Sequence, residues 1–96
     1  MAKGYFVVTY RKISNQEKWA AYAKLAVPAI QNAGGRFIVR GMPAKVFEKG
    51  VSERVVMVEF DNLQKALAAH DGAEYKEALR VLGDGAERDF RIVEGV

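Results

Sequence analysis

Three observations predict an α+β fold built on one antiparallel sheet with helices on one of its faces. Strand-like and helix-like stretches follow one another as strand, helix, strand, strand, helix, strand. The stretches at residues 5–10 and 55–58 are apolar on both faces, which suits the middle of a covered sheet. Between the first two strands, apolar residues recur at the three-to-four spacing of a helix packed on one side. Ninety-six residues suit a single domain, 1–96, with a modest core.

The first strand is expected over residues 4–11, where Tyr5, Phe6, Val7, Val8, Thr9 and Tyr10 are nearly all good strand formers. Ser14-Asn15-Gln16-Glu17 then reads as a capping box, with Ser14 as N-cap and Glu17 as its reciprocal partner. The helix that follows carries Trp19, Tyr22, Ala23, Ala26, Ala29, Ile30 and Ala33 on one stripe. Pro28 falls inside the stripe, so a local kink is expected rather than an end. Gly34 or Gly35 supplies the left-handed residue that closes the helix.

The second strand opens at Arg36, with Phe37 and Val39 expected on one face and Arg36, Ile38 and Arg40 on the other. It is expected to pass a bend at Gly41-Met42-Pro43 and reach Glu48. Residues 49–53 then turn into a third strand at 54–60, antiparallel to the second. In that register Glu48 faces Arg54 and residues 36–41 overhang their partner. A bare strand edge is a liability, and a second copy of the chain is its simplest cover. A homodimer is therefore expected.

Asp61 is expected to cap a short helix bearing Leu63, Ala66, Leu67 and His70. Asp71-Gly72-Ala73-Glu74 reads as a break and a fresh start capped by Asp71. The next helix buries Tyr75, Ala78, Leu79 and Leu82 and stops at Gly83-Asp84-Gly85. The last strand is expected over residues 89–94, centred on Phe90, Ile92 and Val93. This order is the ferredoxin-like one, and right-handed crossovers place its first and third strands side by side in the centre.

Composition narrows the function classes. The net charge is +3 and the basic residues are scattered, which argues against a dedicated nucleic-acid surface. RNA recognition on such a sheet needs exposed aromatics on the central strands, and the third strand offers only Phe60 at its end. There is no run long enough to span a membrane and no apolar leader at the start. The chain has no cysteine, which fits a reducing, cytoplasmic setting. With no phosphate-binding glycine loop, no metal-spaced histidine or cysteine set and no nucleophile elbow, neither a cofactor nor a metal is expected.

What remains is a short set of polar residues. His70 is the sole histidine and could exchange a proton near neutral pH. Tyr75 could aim its hydroxyl at a cavity. Arginine on a strand calls for a partner unless it faces water. Arg40 either pairs with Glu59 or joins Arg36 in holding an anionic ligand. The expected site is a pocket between helices and sheet lined by Arg36, Arg40, Glu59, His70 and Tyr75. It would bind or transform a small anionic molecule, with His70 and Tyr75 as the candidate catalytic groups. The alternative is a non-enzymatic dimeric structural or interaction protein in which these residues only pack and pair.

Gly34-Gly35-Arg36-Phe37-Ile38-Val39-Arg40-Gly41, Val58-Glu59-Phe60, Ala73-Glu74-Tyr75 and the closing Val93-Glu94-Gly95-Val96 resemble the domain-of-unknown-function family 1330. The resemblance covers nearly the whole chain and implies a ferredoxin-like subunit of a dimeric α+β barrel. That superfamily holds cofactor-independent mono-oxygenases, lactone isomerases and haem-degrading enzymes beside members with no assigned activity. The family brings no established reaction and hence no catalytic residue. Where an aromatic residue is common before its serine-proline-glutamate-tyrosine segment, this chain has His70-Asp71-Gly72-Ala73, so a pocket built there would differ in shape and charge.

Overall fold

The computed structural model describes residues 2–96. The chain runs β1 (Gly4–Ile13), α1 (Gln16–Asn32), β2 (Arg36–Gly41), β3 (Val55–Phe60), α2 (Leu63–Asp71), α3 (Ala73–Leu82) and β4 (Ala86–Glu94). The strands form one antiparallel sheet in the order β2-β3-β1-β4, with the two apolar strands in the middle. This is the ferredoxin-like arrangement, its second helical segment broken at Gly72.

Alternation divides the sheet into two faces. On one, Phe6, Val8, Tyr10, Val58 and Phe60 join Ala26, Ala29 and Ile30 of α1, Ala66 of α2, and Ala78 and Leu82 of α3 in a single buried core. The Phe6 ring lies 4.8 Å from Phe60 and 5.0 Å from Phe90, both tilted, the arrangement favoured by aromatic quadrupoles. Burying a phenylalanine side chain contributes about 1.5–3 kcal/mol. The other face carries no helix. There Val7 and Met57 are half-buried, and Val39 and Val93 are exposed.

The helix caps each fall one residue later than the sequence predicts. The cap of α1 is Asn15, whose Oδ1 accepts from Lys18 N at 3.0 Å, while Ser14 Oγ donates to Asp84 O. The cap of α2 is Asn62, accepting from Lys65 N at 2.9 Å, rather than Asp61. Asparagine caps as well as serine or aspartate, and in both places it stands nearer the helix. Asp71 ends α2 and Gly72 opens α3 without a side-chain cap. At the end of α1, Gly34 takes φ +93°. Gly35 N donates to Ile30 O at 2.9 Å and Gly34 N to Gln31 O at 3.0 Å, the two closing bonds of a Schellman motif. Pro28 sits within α1, which continues to Asn32.

The second strand is shorter than expected. It stops at Gly41, and residues 42–54 make an irregular connection instead of a tight hairpin. Arg36 pairs with Glu59 and Gly41 with Val55, so residues 36–41 lie fully along β3 and do not overhang it. The register shifts by one between Phe37 and Val39, leaving Ile38 as the extra residue of a bulge. The bulge reverses the expected faces beyond it. Phe37 opposite Val58 and Arg40 opposite Val56 share the helix-covered side, while Arg36 and Val39 lie on the open side. Strands β1 and β4 both run longer than expected, to Ile13 and from Ala86, around a bulge between Tyr10 and Lys12.

Candidate functional site

Strand pairing on the helix-covered face brings three arginines to one end of the sheet. Arg40 stands on the edge strand beside Val56 and Val8. Arg54 precedes β3, and its carbonyl accepts from Tyr10 N at 2.9 Å. Arg88 pairs with Tyr10 across β1 and β4. The N-terminal half of α1 passes over this end. Between them is a cavity of about 50 Å³ lined by Arg40, Arg54 and Arg88, by Trp19, Tyr22, Ala23 and Ala26 of α1, by Tyr75 of α3, and by the apolar sheet residues beneath. Among the described residues, no acidic side chain lines it.

Each guanidinium lies over an aromatic ring. Arg40 Cζ is 5.4 Å from the Phe37 centroid, and Arg54 Cζ is 5.0 Å from that of Trp19. Arg88 faces three rings, Tyr22 at 5.0 Å, Phe90 at 5.3 Å and Tyr10 at 5.7 Å. Such contacts stabilise a cation without neutralising it. Arg88 Nη1 donates to Tyr22 Oη at 3.0 Å, and Tyr22 Oη lies 2.7 Å from Tyr75 Oη in the buried interior. Burial, with the neighbouring Tyr75 hydroxyl adding to it, pushes the Tyr22 phenol well above its ordinary range despite the opposing pull of Arg88. The phenol therefore stays protonated. Burial alone would weaken the charge on Arg88, but the tyrosine oxygens of Tyr22, Tyr75 and Tyr10 more than offset it.

The five residues marked from the sequence fall in three places. Arg40 and Tyr75 line the cavity. Arg36 and Glu59 lie on the open face, where Arg36 Nε donates to Glu59 Oε1 at 3.2 Å and Arg36 Nη2 is 3.1 Å from Asp61. Tyr5 Oη also donates to Glu59. The expected pairing of Arg40 with Glu59 does not occur, because the bulge at Ile38 sends the two side chains to opposite faces. His70 stands behind the aromatic cluster, 5.1 Å from the Phe90 ring and 5.4 Å from that of Tyr75, with Nδ1 3.7 Å from Asp71. It is not among the cavity's lining residues.

Arg54, Arg88, Tyr10, Trp19 and Tyr22 also line the cavity and lie outside the set expected from the sequence. A signal for two of them was present. Arg54, Val56, Val58 and Phe60 alternate on one face, as do Arg88, Phe90 and Ile92. Among the described residues, no group of three or more His, Cys, Asp or Glu side chains is placed to hold a metal ion, and no helix is long and apolar enough to cross a membrane.

Comparison with known proteins agrees with this architecture. The family model described as a domain of unknown function, DUF1330, matches residues 3–96. No curated protein matches the chain. Among solved structures, a protein of unknown function from Rhodopseudomonas palustris is similar over 99% of this chain and 83% of its own, with a TM-score of 0.77 at 13% identity. A protein from Nitrosomonas europaea, provisionally described as an antibiotic biosynthesis monooxygenase, is similar over 99% of this chain and 90% of its own, with a TM-score of 0.61 at 14% identity. A dimeric ferredoxin-like protein of unknown function from Thermobifida fusca covers 99% of this chain and 92% of its own, with a TM-score of 0.58 at 11% identity. Likeness at these identities is a likeness of fold.

Proposed function

The chain belongs to the DUF1330 family, a domain of unknown function, and we propose that it binds a small organic anion in the cavity under α1, as a homodimer. One observation carries the reading: three guanidiniums surround a single cavity whose described lining holds no carboxylate. Like charges gathered in a partly dry place repel one another, and an anion relieves that repulsion while accepting their hydrogen bonds. Arginine keeps its charge at any working pH, so the site is poised for an anion throughout. The apolar floor and the tyrosines favour an anion with a carbon body over a bare inorganic ion.

Thermal unfolding in the presence of organic anions tests this. A ligand at tenfold excess over its Kd adds about 1.4 kcal/mol, which for a chain of this size raises the melting temperature by several degrees. Organic acids should stabilise the protein at constant ionic strength, and Arg54→Met should abolish the effect while leaving the unliganded protein folded by circular dichroism. If no organic anion stabilises the wild type beyond the effect of ionic strength, the cavity arginines serve packing alone and the structural reading replaces this one.

The homodimer is supported by the apolar row Val39, Met57 and Val7 on the open face of the sheet, and by structural neighbours described as dimeric, among them the Thermobifida fusca protein.

A further inference from the structure

Within the cavity the polar groups are not equivalent, and the difference identifies both the ligand class and the end that receives its charge; this inference rests on the anion-site reading. Arg88 is already engaged by the Tyr22 oxygen and three ring faces. Arg40 is exposed and lies over Phe37. Arg54 differs. Among the described residues, two buried side-chain donors have no hydrogen-bond partner, Arg54 Nε and Trp19 Nε1. They belong to side chains in contact, with Arg54 Cζ 5.0 Å from the Trp19 ring, and both residues line the cavity. An unmade donor in a buried position costs free energy comparable to a hydrogen bond, so each of the two calls for an acceptor, and a carboxylate has two oxygens to offer.

The inventory of donors then restricts that acceptor. Indole and guanidinium nitrogens donate only. The Tyr22 and Tyr75 hydroxyls carry two protons and spend one on each other, while the Tyr22 oxygen also accepts from Arg88, so a further O–H is left over. The cavity is rich in donors, and phenolic oxygens are the acceptors its side chains provide. A ligand bringing amino groups would add donors to a place that already has a surplus. A carboxylate brings acceptors alone, and negative charge beside a guanidinium makes those hydrogen bonds the strong kind. Size sets the rest. A cavity of about 150 Å³ holds benzene, and this one is about 50 Å³. It has room for a carboxylate and one or two carbons, not for a ring.

We propose that Trp19 Nε1 and Arg54 Nε together receive the carboxylate of a short-chain organic acid, of acetate to pyruvate size, with its carbon end against Ala23, Ala26 and Val56.

The chain has a single tryptophan, so its indole N–H gives one nitrogen-15 correlation peak that reports directly on the proposed contact. The full-length protein is titrated with acetate, acetamide, benzoate and chloride at constant ionic strength, following that peak and the melting temperature. Acetate is expected to shift the indole proton downfield with the same midpoint as the thermal stabilisation. Acetamide and chloride are expected to leave it in place, and benzoate to bind more weakly than acetate. Trp19→Phe, which keeps a ring and removes the N–H, should weaken acetate binding by about tenfold, the loss of one hydrogen bond to a charged group. If acetate stabilises the protein but the indole peak does not move and Trp19→Phe binds equally well, the anion sits at another arginine. This inference then falls while the anion site stands. A peak that moves equally with chloride overturns the acid assignment. If no organic anion binds at all, both readings fall together.

Discussion

Gly35 has no room for a side chain. A methyl group there would lie 2.5 Å from Ile30 Cγ2 and 2.8 Å from Val58 Cγ1, where the end of α1 meets β3. Gly34 beside it has open space but a φ of +93°, which side chains disfavour. The two glycines therefore resist substitution for different reasons, one steric and one conformational. Gly35→Ala should lower the unfolding free energy by about 1–3 kcal/mol, the cost of overpacking a core. Gly34→Ala should lower it by about 1–2 kcal/mol through backbone strain. Urea denaturation measures both, and a double-mutant cycle separates the causes. Ile30→Ala removes the opposing methyl group, so it should soften the effect of Gly35→Ala and leave that of Gly34→Ala unchanged. Equal additivity in the two cycles would count against the steric account.

At the scale of elements, the bulge at Ile38 decides which arginine meets which face. It leaves Arg36 beside Glu59 on the open side and turns Arg40 toward the cavity. The Arg36 guanidinium reaches beyond Glu59 to Asp61, at the junction of β3 with α2, and Lys65 reaches the same carboxylate from the first turn of the helix. Lys65, with Arg36 adding to it, holds the Asp61 carboxyl below its ordinary range. A depressed carboxyl contributes stability that is complete above its unfolded pKa of about 3.9 and is lost as pH falls through the folded value. Asp61→Asn should therefore lower the urea midpoint slightly at pH 7, the effect being small because these side chains are exposed. The difference from wild type should shrink as pH falls below about 3.9 and vanish only once the pH is below the lower, folded value. An unchanged difference at acid pH would mean that the substitution acts through the helix start and not through charge.

The whole molecule has one face covered by helices and one left open. On the open face, pairing aligns Val39, Met57 and Val7 across the three strands β2, β3 and β1. The row ends at Arg91 of β4, which pairs with Val7, and an apolar strip with a charged border suits a partner surface. The expectation of a dimer from an overhanging strand rested on a register the chain does not adopt; the open face is the better physical reason. Light scattering on a size-exclusion column should give twice the mass of the 96-residue chain at micromolar concentration. Met57→Lys, which places a charge in the middle of that face, should give the monomer mass with unchanged circular dichroism. A wild-type monomer, or a Met57→Lys variant that remains dimeric, would remove the open face as the subunit contact.

The sequence by itself determined the order of elements, the central place of β1 and β3, and the glycine-closed end of α1. These follow from local propensity, from alternation and from the handedness of crossovers, all of which act over a few residues or on topology alone. It also marked Arg40 and Tyr75, which line the cavity. Only the tertiary structure decided the rest. The register of β2 depends on a one-residue bulge, and a one-residue shift moves every later side chain to the other face. Arg88 lay just before the expected last strand, where a charged residue reads as loop until its pairing with Tyr10 makes it part of the sheet. Arg40, Arg54 and Arg88 are far apart in the chain and meet only because the sheet order β2-β3-β1-β4 and the alternation of each strand bring them to one end of one face. A cavity assembled from separate strands is a property of register, and register is set by the packing of the whole sheet.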